Sequence, residues 1–305
     1  DDNATDIGII VGTSEGALGT CCDFQSMITE KGNASGSAFK FPNTVYNAAG
    51  GYLSICSGIK GYNVTVTNGA QSGLASMAYA MSVLRSGQEN AMLATGSDEN
   101  SDIMTELFGK LGVTSESVVT PFEGNDGFVL SDGSASVLIE DEKAARERGA
   151  RIYCHAAGYG MAHSNVKFGT LTGSEAGLTN AVNNALADAG MTIDDIDAVF
   201  GFANGMKAVD DVEIKGLTAV FGDKLAEKPV VELKEVLGES RAAAATTAAA
   251  HAALMFAGKI PSQEAYSIAA DGSISKTNVE ASKLNNVLVV AYGAGGSYTA
   301  IVLSK

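Results

Sequence analysis

The chain contains no tryptophan, only four prolines and only four cysteines. It has no uninterrupted apolar run of about 18 residues, the length that spans a bilayer, so we expect no membrane-spanning segment. The cysteines form no C-x-x-C pair, and the chain begins with no secretory signal. We therefore expect free thiols and a cytoplasmic location rather than a disulfide-stabilised secreted fold.

Basic side chains are also scarce. Twenty Lys and Arg residues stand against 35 Asp and Glu residues, which gives a net charge of −15 over 305 residues with neutral histidines. No cluster of basic residues offsets this charge. Because proteins hold phosphate backbones mainly through Lys and Arg, the balance excludes nucleic acid as a partner.

Apolar and small residues are plentiful, with 46% hydrophobic residues and 36 glycines, which is enough for a sizeable core. Short β-branched runs are typical of buried strands, and alanine-rich segments are typical of closely packed helices. Strands are predicted at Ile7–Val11, Asn63–Thr67, Ala91–Thr95, Ser134–Ile139, Ala198–Phe200, Pro229–Leu233, Val287–Ala291 and Tyr298–Leu303. Helices are predicted at Cys22–Glu30, Ser72–Arg85, Gly177–Ala189 and Ser240–Phe256, with a solvated helix at Glu140–Arg151 and a loop at Lys234–Glu239.

The order of these elements repeats at about half the chain length. This self-similarity predicts two like α/β halves, residues 1–148 and 149–305, packed face to face in αβαβα layers. Alanine-rich helices suit the central layer, since only small side chains let helices lie between two sheets. The alternative is an ordinary doubly wound sheet with alanine-rich outer helices.

Several motifs, in order along the chain, resemble those of the β-ketoacyl-acyl carrier protein synthases, condensing enzymes of the thiolase fold. No single motif would be specific, but the set and its spacing are. The matching stretches are Gly12–Gly16 (GTSEG), Phe41–Asn47 (FPNTVYN), Gly58–Asn63 (GIKGYN), Ser72–Ala75 (SGLA), Thr120–Phe122 (TPF), Asp126–Val129 (DGFV), Lys234 with Gly238, and Gly293–Ser297 (GAGGS).

The resemblance implies three catalytic positions, and this chain has lost the chemistry at all three. The family's nucleophilic Cys, two residues before Ser-Gly-Leu, corresponds to Ala70, whose methyl group cannot form a thioester. The two family His residues correspond to Asn204 and Glu239. Asn cannot titrate, and a carboxylate would repel a developing oxyanion. Lys234 and Glu213 are retained, and each has a structural role available as a member of an ion pair.

Further positions depart from the family pattern in the same direction. The threonines that hold the pantetheine arm become Met206 and Ala208, and the Arg before Asp-Gly-Phe-Val becomes Asn125. In the oxyanion and gate loop, which corresponds to Gly293, Ala294 and Gly295, the gating Phe becomes Ala294. We interpret the chain as one that keeps the fold of the family but lacks its catalytic groups. One alternative is an active condensing enzyme in which Ala70 replaces a natural cysteine by engineering.

Degenerate synthases of this kind resemble chain length factors, which pair with a Cys-bearing ketosynthase as a heterodimer. The resemblance implies that the stretch Phe41–Asn47 and the helix near Ser72 lie at the contact with that partner, and that the carrier protein docks mainly on the partner. Residues there can close the far end of the partner's acyl tunnel. The candidates for tunnel or dimer contact are Phe41, Asn43, Tyr46, Asn47, Gln71 and Met104. A second alternative is a purely structural subunit with no influence on chain length.

The resemblance begins at a strand inside the first half, so we expect the family's initial strand and helices to be absent from the given sequence. No metal or cofactor is expected. Gly12–Gly16 also matches the G-x-S-x-G elbow of serine hydrolases, with His155, His163 or His251 as the base, but no acidic partner is identifiable. His155 and His163 are too few and too far apart for a metal site.

Overall fold

Two β-sheets, one from each half of the chain, form the frame of the molecule. The computed structural model describes residues 6–124, 127–167 and 173–305. Within these ranges, no helix combines the length and the apolar character needed to cross a bilayer.

The first half contributes a four-stranded sheet and several helices. Its sheet has the order β2-β1-β3-β4, in which β1 runs parallel to β2 and β3, and β4 runs antiparallel to β3. The elements are β1 (Ile7–Gly12), α1 (Leu18–Lys31), α2 (Ala48–Ser57), β2 (Asn63–Val66), α3 (Ser72–Arg85), β3 (Ala91–Asp98), α4 (Asp102–Leu111) and β4 (Gly133–Glu140).

The second half contributes a seven-stranded sheet of order β5-β11-β10-β6-β7-β8-β9. Strands β10, β6 and β7 are parallel, and β11 is antiparallel to both β10 and β5. Helix α5 (Glu142–Glu147) connects the two sheets at the end of the first half. The elements that follow are β5 (His155–His163), α6 (Glu175–Ala189), β6 (Ala198–Phe200), α7 (Lys207–Phe221), β7 (Val230–Val231), α8 (Lys234–Leu237), α9 (Ala242–Phe256), β8 (Ser262–Ile268), β9 (Ile274–Glu280), β10 (Asn286–Tyr292) and β11 (Ser297–Ser304).

The strand pairing of the first sheet recurs in the second. The series β2-β1-β3-β4 has the same directions as β7-β6-β10-β11. The halves differ at the outer antiparallel strand, since β11 pairs with β5 whereas the described residues provide no strand on the outer edge of β4. Burial follows this difference, because β11 is buried from Tyr298 to Leu303 while alternate residues of β4 are exposed.

Helices α3 and α9 lie between the two sheets and contact strands of both, which confirms the layered α/β arrangement over the doubly wound alternative. The helices approach so closely that glycine is required at the crossing. A Cβ atom on Gly73 or on Gly96 of β3 would lie 2.5 Å from the Oγ1 atom of Thr246 and would overlap the carbonyl oxygen of Ala242. The central layer therefore depends on backbone-to-backbone packing that no larger side chain allows.

The predicted elements differ from the structure mainly in the second half. The segment Lys234–Glu239, expected to be a loop, begins with one helical turn, α8, which ends at Gly238 with a φ of +76°. The strand expected at Pro229–Leu233 shortens to β7, because Glu232 and Leu233 already lead into that turn. The solvated helix expected over residues 140–151 is limited to α5, since Glu140 pairs with Ala91 as the last residue of β4. Helices α4 and α7 and the hairpin β8–β9 were not predicted.

The contact between α3 and α9 predicts opposite effects for two Gly→Ala changes in helices. Gly109→Ala in α4 meets no atom within 4 Å and should stabilise the protein by about 0.5–1 kcal/mol through helix propensity and a stiffer unfolded chain. Gly73→Ala should instead destabilise it by about 1–3 kcal/mol, because the helices must separate. Urea denaturation of both variants measures the difference, and equal effects would contradict the contact.

Candidate functional site

Ala70 lies in a tight turn directly before the central helix α3. A 3-10 turn over Gly69–Gln71 leads into the helix, and the Ser72 hydroxyl closes this turn by donating to the Gly69 carbonyl oxygen at 2.6 Å. Gly293 packs against this turn, since a Cβ atom on Gly293 would lie 3.6 Å from the Ala70 amide nitrogen. Gly293, the first of the three residues expected to correspond to the gate loop, is thus next to Ala70, whose side chain is a methyl group.

Gln71, the next residue, points into the chain. Its side chain is fully buried, and its Oε1 atom accepts a hydrogen bond from the Thr299 hydroxyl of β11 at 2.5 Å. The carboxamide therefore joins α3 to the second sheet. It forms no part of the surface of this chain.

Asn204, Lys234 and Glu239 meet in one closed hydrogen-bond network. The Lys234 ammonium donates to Glu239 Oε2 at 2.8 Å and to the Phe202 carbonyl oxygen at 3.1 Å. Asn204 Nδ2 donates to the same Glu239 oxygen at 2.8 Å, and the Arg241 amide donates to Glu239 Oε1 at 2.9 Å. The Lys234 and Glu239 side chains are only 5% and 6% exposed. The charge of Glu239 is therefore matched by Lys234 in a buried ion pair.

The local chain path explains how these groups come together. Gly238, in the left-handed region, lets the chain leave α8 and pair with the segment beside β4, where the Glu239 amide donates to the Val129 carbonyl oxygen at 2.7 Å. Phe202 connects this network to the gate loop, because its ring lies edge-on to the Tyr292 ring at 5.6 Å, one residue before Gly293. The Lys234 ammonium lies 3.1 Å from the Phe202 ring centroid, a cation–π contact.

Glu213 differs from the expectation, because it joins no ion pair within the described residues. Its Oε2 atom accepts from the Phe202 amide at 2.7 Å and from the Tyr292 hydroxyl at 3.2 Å. Its Oε1 atom and both carboxylate oxygens of Glu232 are buried without a protein donor. Both carboxyl groups face Gly201, where a Cβ atom would overlap them. With no protein donor at these oxygens, the surroundings favour the protonated, uncharged form of a carboxyl group.

Burial and the neighbouring Glu213 carboxylate raise the pKa of Glu232 well above its ordinary value. Asp210 lies close by, where it accepts from the amides of Asn204, Gly205 and Phe122 at 3.0, 3.2 and 2.8 Å. Burial raises the pKa of Asp210 to about 6 despite these three donors. The loop that carries Asn204 is thus wrapped around three buried carboxyl groups, two of which, Asp210 and Glu232, have a raised pKa.

A second buried network joins the two halves of the chain below Glu239. Arg241, 3% exposed, places its Nε atom 2.8 Å from Glu15 Oε2 and donates from Nη2 to the Glu99 carbonyl oxygen at 2.6 Å. Asp98 accepts from the Thr13 hydroxyl at 2.6 Å and from the Ala242 amide at 2.9 Å, which caps α9. We call Glu15, Asp98 and Arg241 the polar seam.

The polar seam also explains the G-x-S-x-G match. The Ser14 amide donates to both Asp98 carboxylate oxygens, at 2.9 and 3.1 Å, and the Gly16 amide donates to the Thr13 hydroxyl at 2.9 Å. The loop is therefore a turn ordered around a carboxylate. It does not have the arrangement of a nucleophile beside a histidine.

An open pocket of about 290 Å³ lies against the Asn204–Lys234–Glu239 network. Its walls include the half-exposed aliphatic side chains of Val129 and Leu237. The charged side chains in its lining are three glutamates, Glu116, Glu235 and Glu239, and one lysine, Lys234. Two of these glutamates are paired, Glu239 with Lys234 at 2.8 Å and Glu235 with Lys276 at 2.7 Å.

The remaining sequence candidates lie between β1 and β2 or on α4. Met104 is buried in α4, and Asn43 accepts from the Tyr52 hydroxyl at 2.6 Å, while Asn47 is exposed. Phe41 and Tyr46 are more than half exposed. They belong to a set of exposed large side chains that we call the apolar face: Phe39, Phe41, Val45, Tyr46, Tyr52, Ile55 and Tyr62.

Sequence reasoning did not identify Glu15, Asp98, Asp210, Glu232 or Arg241 as site residues. Two of them carried a signal, since Glu232 interrupts an apolar strand run and Arg241 opens an otherwise alanine-rich helix. Asn125, expected to replace a family Arg, lies outside the described residues, as does Asp126.

The histidines have separate local contacts. His163 lies 3.3 Å from the Ser297 hydroxyl, and His155 is 3.8 Å from Glu142, at opposite ends of β5. In the part of the chain that the structure describes, no three His, Cys, Asp or Glu side chains are grouped as metal ligands.

The buried acids predict a specific pH dependence of stability. The pKa of Glu232 is higher in the folded protein than in the unfolded chain, so unfolding releases a proton and stability falls as pH rises above the ordinary glutamate pKa. Glu232→Gln should flatten this slope by up to about 1.4 kcal/mol per pH unit, because one proton no longer contributes. Urea denaturation at several pH values measures this. The exposed control Glu147→Gln should keep the wild-type slope, and an unchanged slope in Glu232→Gln would refute the raised pKa.

Comparison with known proteins identifies the family. Residues 1–145 match the model of the beta-ketoacyl synthase N-terminal domain, and residues 153–266 match that of the C-terminal domain. The chain is 28% identical over 239 residues to 3-oxoacyl-[acyl-carrier-protein] synthase 2 of Vibrio harveyi, covering 76% of this chain and 58% of the relative. It is 24% identical to the Coxiella burnetii protein of the same name, covering 99% of this chain and 76% of the relative. The chain thus spans a little over half the length of some curated relatives it matches.

Solved structures show the same fold. The ishigamide ketosynthase/chain length factor matches with a TM-score of 0.87 at 22% identity, covering 99% of this chain and 75% of the other. A type II polyketide ketosynthase in complex with its acyl-carrier protein, AntDE:AntF, matches with a TM-score of 0.89 at 20% identity, covering 99% and 78%. With both domain models matched in order on a thiolase-like fold, the chain belongs to the β-ketoacyl synthase family.

Proposed function

We propose that this chain is a non-catalytic, chain-length-factor-like subunit that pairs with an active ketosynthase. The pair would make polyketide, polyene or fatty-acyl chains on an acyl carrier protein in the cytoplasm, and this chain would help to set their length. The observation that carries the proposal is the closed network of Asn204, Lys234 and Glu239, in which the two residues that the family resemblance aligns with catalytic histidines are hydrogen-bonded to each other.

The network leaves no group free for condensation. Decarboxylative condensation needs a nucleophile for the acyl chain and donors aimed at the oxyanion that develops. Ala70 supplies no nucleophile, and the Asn204 amide donor is directed at Glu239. Lys234, the cation nearest to this network, is held by Glu239 and the Phe202 carbonyl oxygen. Each polar group is therefore committed to its neighbours.

The polar seam supports the absence of an acyl chain within this subunit. Arg241 follows Glu239 by two residues, and its buried charge is paired with Glu15. An alkyl chain entering beside Glu239 would have to displace this pair and leave charges buried without partners. Such a loss costs about 3–5 kcal/mol, which apolar contacts of a short chain do not offset.

The apolar face supports pairing with another chain. Phe39 is 88% exposed and Ile55 is 78% exposed, within a segment next to β2, the edge strand of the first sheet. Clusters of exposed aromatic and aliphatic side chains are typical of protein interfaces. The face and the open edge of β2 together offer apolar contacts and unpaired backbone groups to a partner.

Charge assigns carrier docking to the partner in this proposal. The net charge of −15 repels an acidic carrier protein and its phosphorylated arm. The partner would supply the Cys and both His residues, receive the carrier protein and perform the condensation.

Two alternatives remain testable. An active enzyme with an engineered Ala70 would have a cysteine codon at this position of its gene, but this exchange does not account for Asn204 and Glu239. A purely structural subunit would pair in the same way and leave product length unchanged.

The first prediction concerns activity. Co-expression with a neighbouring Cys-bearing synthase should give a 1:1 complex that condenses malonyl carrier protein, whereas this chain alone should give neither condensation nor malonyl decarboxylation. Ala70→Cys alone should remain inactive, because Asn204 and Glu239 provide no acid–base group. Product analysis by mass spectrometry checks each case. Turnover by the Ala70→Cys chain alone would favour the active-enzyme alternative, and failure to form a complex would refute the proposal.

The second prediction concerns product length. Tyr46→Ala in the complex should lengthen the products if Tyr46 closes the tunnel end, while Tyr153→Ala, a half-exposed tyrosine in the second half, should not. The product distribution of each purified complex measures the effect. Identical distributions for both variants and the wild type would favour the purely structural subunit.

A further inference from the structure

Arg241 has a backbone conformation that an L-residue adopts only at a cost. It precedes α9 with a φ of +51° and a ψ of −114°, outside the regions that side chains ordinarily occupy. Such strain persists only where surrounding contacts impose it. The contacts here are specific, because the Arg241 amide donates to Glu239 and its side chain reaches Glu15 and the Glu99 carbonyl oxygen.

The side chain of Arg241 connects the degenerate site to the loop after β1. Glu15 lies in that loop, and the Nε-to-carboxylate distance is 2.8 Å. Asp98 holds the same loop through the Thr13 hydroxyl and the Ser14 amide, and its nearest carboxylate oxygen is 4.0 Å from the Arg241 Nε atom. Arg241 is thus the one cation of the polar seam, placed between two carboxylates.

The loop in turn supports the apolar face. Gly16, the residue after Glu15, has a φ of +61°, and its Cα lies under the Tyr46 ring so closely that a Cβ atom would be 2.5 Å from a ring carbon. Tyr46 is a member of the apolar face. A further contact holds the segment next to Tyr46 against α1, since the Cys21 thiol donates to the Thr44 carbonyl oxygen at 2.8 Å.

These contacts form a continuous series from Glu239 through Arg241, Glu15 and Gly16 to Tyr46. We infer that Arg241 is a positioning residue for partner binding: by its ion pair with Glu15 it fixes the loop on which Tyr46 rests, and so holds the apolar face in the conformation that the partner binds. The inference rests on the proposed function for the identity of the partner, a Cys-bearing ketosynthase chain. The ion pair itself belongs to this chain alone.

The magnitude of the effect follows from burial. Removal of the Arg241 charge leaves the part-buried Glu15 and the buried Asp98 as neighbouring carboxyl groups without their cation, which drives the loop toward solvent. If only a fraction of the molecules hold the apolar face in the conformation that the partner binds, the apparent affinity for the partner falls by that fraction.

Two measurements test the positioning role. The two single variants are Arg241→Met and Glu15→Gln, the second of which keeps the side-chain volume. A double variant combines them, and Arg241→Lys is the conservative variant expected to rescue binding. The control is Arg85→Met, which removes a half-exposed ion pair with Asp188 far from the loop in sequence. The hydrogen-exchange rate of the isolated chain should rise at least tenfold over residues 39–57 in Arg241→Met and in Glu15→Gln. In these two variants the exchange rate of α6 should stay unchanged. In the control Arg85→Met the exchange rate over residues 39–57 should stay unchanged.

Affinity for the co-expressed ketosynthase, measured by titration of purified subunits, provides the second arm. Each single variant should weaken binding at least tenfold, the double variant no more than either single one, and Arg241→Lys should recover part of the loss. Additive losses would mean separate structural damage and would overturn the inference, as would wild-type affinity in the two single variants. If the wild-type chain forms no complex, the proposed function fails, while the exchange data still decide whether Arg241 orders the apolar face.

Discussion

The close approach of α3 and α9 between the two sheets is the constraint on which the other features depend. The backbone of α9 at Ala242 lies against Gly73 and Gly96 of the first half, with no room for a single additional carbon. This contact fixes where α9 begins, and with it the positions of Glu239 and Arg241, which immediately precede the helix. The turn that carries them therefore cannot shift without separating the sheets.

Within this frame, charged side chains are buried directly before α9. A buried ion pair contributes little net stability compared with apolar residues of the same shape, but the loss of one partner is expensive. Lys234 and Glu239 consequently constrain each other. Glu232 is constrained differently, because burial and the neighbouring Glu213 raise its pKa well above the ordinary value.

Elements with a local signal could be predicted from the sequence, whereas pairings between distant residues could not. Strands β1, β10 and β11 and helix α3 were expected within two residues of their observed bounds, because the strands are short apolar runs rich in β-branched residues and the helix is a longer run of small and apolar residues. The prediction of a loop at Lys234 was wrong, because a single helical turn has no periodicity to detect. Arg241 and Glu15 are 226 positions apart, and Glu213 and Glu232 lie on different segments. A lone carboxylate in a sequence does not indicate which cation or proton will satisfy it, since this depends on how the two halves dock.

Asn204, Lys234 and Glu239 depend on one another physically. Glu239 is tolerated in the interior because Lys234 lies beside it, and Asn204 donates to Glu239 from a loop that Asp210 holds closed. Replacement of Glu239 by a neutral residue would leave the Lys234 ammonium buried without its carboxylate. Loss of the Asn204 amide would be milder, because Glu239 would still accept from Lys234 and from the Arg241 amide. The ion pair therefore constrains this part of the chain more strongly than the amide does, and packing alone explains why a buried lysine is kept next to Glu239.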